Sequence, residues 1–163
     1  MTPRMRKILS AFALTALLAA GTPQAQAGEI LFRQDAGLTN AEYYLANGKY
    51  SAAILAADGV LQRHPGSADA YTYRGYALDR LGQTDAAEKD FKSALAADPS
   101  HLGANAYLAE VYLQKGEVAR AIEQMQVIRM TCGRTVCAEL TAVESEIDRY
   151  KSGQKPAPPP QKK

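Results

Sequence analysis

The chain has 163 residues, 47% of them apolar, with acidic and basic side chains nearly balanced at a formal +2. That length suits one domain of ordinary size and that composition a packed core, which excludes a disordered or fibrous chain. Three of the positives, Arg4, Arg6 and Lys7, fall in a segment expected to be removed; without them the balance is −1, which excludes the clustered basic face that nucleic acid requires.

The first 27 residues read as a secretory signal peptide. A basic start precedes an apolar run from Ile8 to Ala20, Gly21 to Pro23 break it, and Ala25-Gln26-Ala27 offer small residues for cleavage before Gly28. The run is about 13 residues, short of the roughly 20 that span a bilayer. The expectation is an exported chain, periplasmic in a bacterial envelope or secreted, with no stable membrane insertion. Residues 28–34 follow as a lead-in. Their strip Ile30-Leu31-Phe32 either packs against the first helix or forms an arm.

The next three stretches repeat. Residues 68–101 carry the clearest pattern, two amphipathic helical stripes around a break at Leu81 to Thr84, closed by Asp98-Pro99. In residues 35–67, Tyr44, Gly48, Tyr50, Ala53, Val60 and Pro65 stand 34 places before Leu78, Gly82, Thr84, Ala87, Ala94 and Pro99. In residues 102–133, Tyr112, Gly116, Ala121, Met125 and Ile128 stand 34 places after Leu78, Gly82, Ala87, Phe91 and Ala94. The first copy is weak at its start. Gly37 and Asn40 interrupt its stripe, and Thr39 with Glu42 reads as a capping box that would begin its helix late within about 36–47. The third copy lacks a closing proline and has Gly133 there as a C-cap.

Small residues at 75, 87, 94, 109 and 121 let paired helices approach closely, while Leu78, Phe91, Tyr112 and Met125 fill the space between pairs. Arg74 departs from this scheme; its stem is expected to pack while its head reaches water. Residues 134–151 form one more amphipathic helix, with Leu140, Val143, Ile147 and Tyr150 on its apolar side, suited to covering the end of a stack. Residues 152–163 are rich in proline and lysine and are expected to stay extended or disordered.

Three in-phase copies and a cap resemble the tetratricopeptide repeat superfamily over roughly residues 35–150. The resemblance implies an all-α superhelix of helix–turn–helix repeats whose first helices line a concave, peptide-binding groove. The groove candidates on this chain are Glu42, Asp69, Thr72, Tyr73, Tyr76, Asp79, Arg80, Tyr107, Glu110 and Gln114, with Leu45, Ala106 and Leu113 beside them. Family members that hold chaperone C-termini clamp a carboxylate with Lys, Asn and Arg. The matching sites here carry Leu38, Glu42, Tyr73, Gly103 and Tyr107, so that clamp is absent. Tyrosines among carboxylates favour an amphipathic or basic protein segment as partner.

Cys132 and Cys137 are the only cysteines, and in an exported chain they are expected to form a disulfide that staples the cap to the stack. The alternative is a thiol redox protein using this pair, against which the four-residue spacing argues. No catalytic set, metal cluster or phosphate loop emerges, since His64 and His101 sit in remote turns where solvation suffices. The reading is a non-enzymatic adaptor without cofactor that binds a segment of an envelope partner. Self-assembly into a homo-oligomer is a third reading.

Overall fold

The computed structural model describes residues 35–154 except Val136, so the expected signal peptide, the Ile30–Phe32 strip and the tail beyond Gln154 lie outside it. Seven helices follow one another among the described residues: α1 (Ala36–Ala46), α2 (Tyr50–Arg63), α3 (Ala68–Arg80), α4 (Thr84–Ala97), α5 (Leu102–Gln114), α6 (Val118–Cys132) and α7 (Ala138–Lys151). They form the expected all-α stack of three hairpins and a cap.

The 34-residue period is visible in the hydrogen bonds of the turns. After α3, Gly82 N–H donates to the Asp79 carbonyl (2.8 Å) and Gln83 N–H to the Leu78 carbonyl (2.9 Å). This pair of bonds makes a Schellman cap, and Gly82 takes the left-handed φ of 79° that it requires. Gly48 with Lys49 and Gly116 with Glu117 repeat the same two bonds after α1 and α5. The second helix of each hairpin therefore starts without a side-chain cap, whereas each first helix has one. Asp35, Ser67 and His101 accept from the backbone N–H of Gly37, Ala70 and Ala104. The Thr39–Glu42 capping box is thus corrected: Asp35 begins α1 earlier, because its carboxylate already satisfies an orphan donor.

Packing follows the same register. Ala53, Ala87 and Ala121 are all fully buried, as are Val60, Ala94 and Ile128, so each period places the same site at the hairpin interface. Each first helix touches the next first helix, α1 with α3 and α3 with α5, whereas the second helices do not touch one another. The stack must curve toward the first helices, which form its inner layer. Helix α7 touches both α5 and α6, as a further first helix would. It also ends like one, on Gly153 with a positive φ and Gln154 N–H bonded to the Arg149 carbonyl. Val143 and Ile147 are its buried residues, with Leu140 and Tyr150 packed beside them.

Charged pairs tie successive hairpins together. The Arg74 side chain is a quarter exposed, and its head is held in ion pairs that the exposed-tip reading does not include. Its Nε and one terminal nitrogen donate to Asp90 of α4 (2.7 and 2.8 Å), and the other donates to Asp58 of α2 (2.6 Å). One hairpin further on, Lys115 donates to Asp85 and Glu88 of α4, each at 2.6 Å. Hydrogen bonds from Lys115 and then Lys92 hold the Glu88 carboxyl down to about 2, against an ordinary 4.5. Because the folded state has the lower pKa, this pairing stabilises the fold above about 4.5 and its contribution fades as pH falls toward 2. Glu88→Gln is expected to cost about 1 kcal/mol at neutral pH, allowing for screening of a pair near the surface. It should also flatten the acid limb below pH 4.5 in urea titrations run at several pH values. An unchanged acid limb would remove Glu88 from the account.

Candidate functional site

The inner face of α3 and α5 carries a run of aromatic and charged side chains in mutual contact. The Tyr76 and Tyr107 rings lie 4.9 Å apart, and Tyr107 stacks at 5.7 Å on Phe91, which is 1% exposed. Arg80 lies over the Tyr76 ring, 4.7 Å from its centroid, and reaches Glu110 at 3.5 Å. These contacts link the two successive first helices, and Tyr76 and Tyr107 are both partly exposed.

Burial shapes the titration of this face. Desolvation pushes the Glu110 carboxyl up despite the nearby Arg80 guanidinium, because the ion pair is long and the carboxylate has little water. Asp79 is pushed up for the same reason. The Tyr107 hydroxyl is raised by burial, with Tyr76 and Glu110 adding to it, and Tyr73 is raised by burial with Glu42 and Asp69 nearby. Glu110 and Asp79 are therefore weaker acids than usual, and the Tyr73 and Tyr107 phenols hold their protons more firmly.

The groove candidates separate into two groups. Tyr73, Tyr76, Arg80, Tyr107 and Glu110 are partly exposed on this face, and Glu42 is exposed on α1. Thr72 and Asp79 are instead buried, at 2% and 4% exposure. Thr72 donates its hydroxyl to the Ala68 carbonyl of its own helix, while its methyl faces Gly103 of α5, so it packs first helix on first helix. Asp79 accepts from Thr84 (3.3 Å) and from Gln114, so both Asp79 and Gln114 are engaged at the hairpin turns. Asp69 is engaged as well, 2.9 Å from Nε2 of His101.

His101 itself corrects the reading of a merely solvated ring. Its Nδ1 accepts from the Ala104 backbone N–H (3.0 Å), a group that can only donate, so Nε2 is left to donate to Asp69. The ring caps α5 and ties it to α3. His64 lies 3.6 Å from Asp35 at the corresponding turn of the first hairpin.

Two features escaped sequence reasoning. Helix α7 forms a wall of the inner face: a cavity of about 130 Å3 opens between α5 and α7, bordered by Tyr107 and Glu110 on one side and Val143 and Glu146 on the other. The signal that was available is Gly153, which ends α7 as Gly48, Gly82 and Gly116 end the first helices. The second is the place of Phe91 under Tyr107: expected in the core and found there, it is at the same time the floor of the aromatic cluster.

The cysteines come together at the α6–α7 turn, with Cα atoms 6.1 Å apart, within the range a disulfide spans. Among the described residues, no group of three metal-ligating side chains exists, and no helix is long and apolar enough to cross a membrane.

Comparison with known proteins bears on the fold. Two tetratricopeptide repeat family profiles match the chain, one over residues 38–87 and the other over 80–131. No curated protein matches it. The chain is similar to the TPR2B domain of yeast Sti1 in its pHsp70 complex, with 24% identity, 72% of this chain and 94% of that one covered, and a TM-score of 0.60. It is similar to the first TPR of Spaghetti (RPAP3) bound to the HSP90 peptide SRMEEVD, with 20% identity, 71% and 90% coverage and a TM-score of 0.62. The Yersinia enterocolitica type III secretion translocator chaperone SycD is also similar, with 21% identity, 76% and 95% coverage and a TM-score of 0.63.

Proposed function

We propose that this chain, which belongs to the tetratricopeptide repeat family, is an exported adaptor whose inner face binds an amphipathic or basic segment of another envelope protein. The observation that carries the proposal is the partly exposed cluster of Tyr76, Arg80, Tyr107 and Glu110, linked across α3 and α5 and flanked by Tyr73. Stiff aromatic rings held in place before a ligand arrives lose little freedom on binding, which favours recognition. Two structural neighbours carry bound ligands in their titles, one of them an acidic peptide ending Glu-Glu-Val-Asp. Glu42, Glu110 and Glu146 give this inner face the opposite preference, since like charges brought together cost binding energy.

Each of Tyr73→Ala and Tyr76→Ala is expected to weaken capture of envelope partners by about tenfold or more, as truncated aromatic anchors do. The measurement is an affinity capture from an envelope fraction by wild type and both variants, with thermal melts as a folding control. A partner list unchanged by either substitution would rule out this face.

The Cys132–Cys137 pair fits a structural staple better than a redox couple. It joins the end of α6 to the start of α7 and keeps the helix that walls the inner face against its neighbours. The native protein is expected to show no reactive thiol before reduction and two after it. Reduction should lower stability by about 2 kcal/mol in the chain-entropy account of so short a loop. Two titratable thiols in protein freshly isolated from the envelope would remove the staple.

A further inference from the structure

The cavity between α5 and α7 has a composition that selects its occupant. Tyr107, Leu113 and Val143 make its sides apolar, and Glu110 and Glu146 place two carboxylates at it. Each carboxylate is met only by a partly exposed arginine of this chain, Arg80 at Glu110 and Arg149 at Glu146, with the Arg149 charge also felt at Glu110. Arg80 approaches Glu110 only to 3.5 Å, and its own Nε is buried without a hydrogen bond. Glu146 pairs with Arg149, one turn along the same helix and more than half exposed, an arrangement that contributes little and exchanges readily. An uncharged occupant would take the remaining water from Glu110 and leave it only the long contact to Arg80, which is costly. A metal ion would find two carboxylates where hard cations need more oxygen ligands, and 130 Å3 exceeds what a bare ion fills.

We infer that this cavity takes a single lysine or arginine side chain of the partner protein, its methylenes along Tyr107, Leu113 and Val143 and its cation between Glu110 and Glu146. Long cationic side chains have that division of an apolar stem and a charged head. The Tyr107 ring adds a cation–π surface beside the carboxylates. The inference rests on the adaptor reading, because α7 extends the same inner face, and it assigns α7 a role in specificity besides covering the stack.

The test needs no identified partner. N-acetyl-lysine methylamide, N-acetyl-arginine methylamide and the neutral N-acetyl-norleucine methylamide are titrated into the protein while backbone amide resonances are followed. The two cations are expected to shift Ala106, Glu110, Val143 and Glu146, with the norleucine probe at least about tenfold weaker. Glu110→Gln and Glu146→Gln should each weaken the cations about tenfold and leave the norleucine probe unchanged, with far-UV spectra confirming the fold. Norleucine binding as tightly as lysine, or cation binding insensitive to both variants, would overturn the assignment. A helical peptide of leucine, alanine and lysine, added separately, reports on the groove: shifts at Tyr73 and Tyr76 without shifts at Glu110 and Glu146 would overturn the pocket and leave the adaptor reading standing. No shift at Tyr73 and Tyr76, with the small cations still bound at Glu110, would remove the groove and keep the pocket.

Discussion

Arg74→Ala is expected to destabilise the protein by about 3–5 kcal/mol, the range found when one partner is removed from a buried ion pair. The reason lies less in the bonds lost than in what remains. Asp90 is 7% exposed, and without the Arg74 fork its carboxylate stands in the hairpin interface with little water and no cation in place. Asp58, with 39% of its side chain exposed, suffers less. Arg74→Leu with Asp90→Leu, which removes both charges and fills the space, is expected to recover most of the loss. Urea unfolding followed by circular dichroism measures both variants, and a loss below about 1 kcal/mol for Arg74→Ala would show the charges to be solvated after all. The geometry also predicts where the damage appears. Arg74 is held by α2 on one side and α4 on the other, so amide exchange should accelerate first in α1 and α2, the hairpin whose neighbour among the described helices is α3.

Arg74 also shows why the fold was legible and this bond was not. A period of 34 survives in single residues whose job is local, namely the turn glycines at 48, 82 and 116 and the alanines at 53, 87 and 121. Each acts on its immediate neighbours, so composition at fixed spacing is enough to reveal it. The partners of Arg74 lie 16 residues away on either side, on two helices of different hairpins, and every exposed Asp or Glu at similar distance competes with them in the sequence. The same limit applies to His101, whose capping role depends on ring orientation and whose second nitrogen meets Asp69 of another helix. The groove was legible as a set of helix faces but not as depths: Thr72 and Tyr73 are adjacent, and it is the approach of α5 at Gly103 that leaves Thr72 buried while Tyr73 stays partly exposed. Helix α7 was readable as a cap from its apolar stripe, while Glu146 at its edge reads as solvated until α5 is placed beside it.

Phe91→Ala joins core and site in one measurement. Phe91 is the largest fully buried side chain among the described residues, and its loss is expected to cost about 3–5 kcal/mol from burial and the cavity left behind. That cavity has little chance to close. On one side stands Gly75 of α3, so close that an added Cβ would meet the Phe91 ring at 2.7 Å, and on the other stands the Tyr107 ring at 5.7 Å. The glycine cannot extend to fill the space, and Tyr107 can move into it only by leaving Tyr76. A Tyr107 ring that drops into the core uncovers the wall of the α5–α7 cavity and disperses the cluster that carries the proposed recognition. Phe91→Ala should therefore weaken partner capture beyond what the fraction unfolded explains. Phe91→Leu, which keeps most of the volume, should hold Tyr107 in place and bind nearly as wild type at a smaller cost in stability. Capture measured at a temperature where all three proteins are folded distinguishes the cases. If Phe91→Ala then binds as tightly as wild type, Tyr107 does not depend on its floor, and the site is supported by α3 and α5 without help from α4.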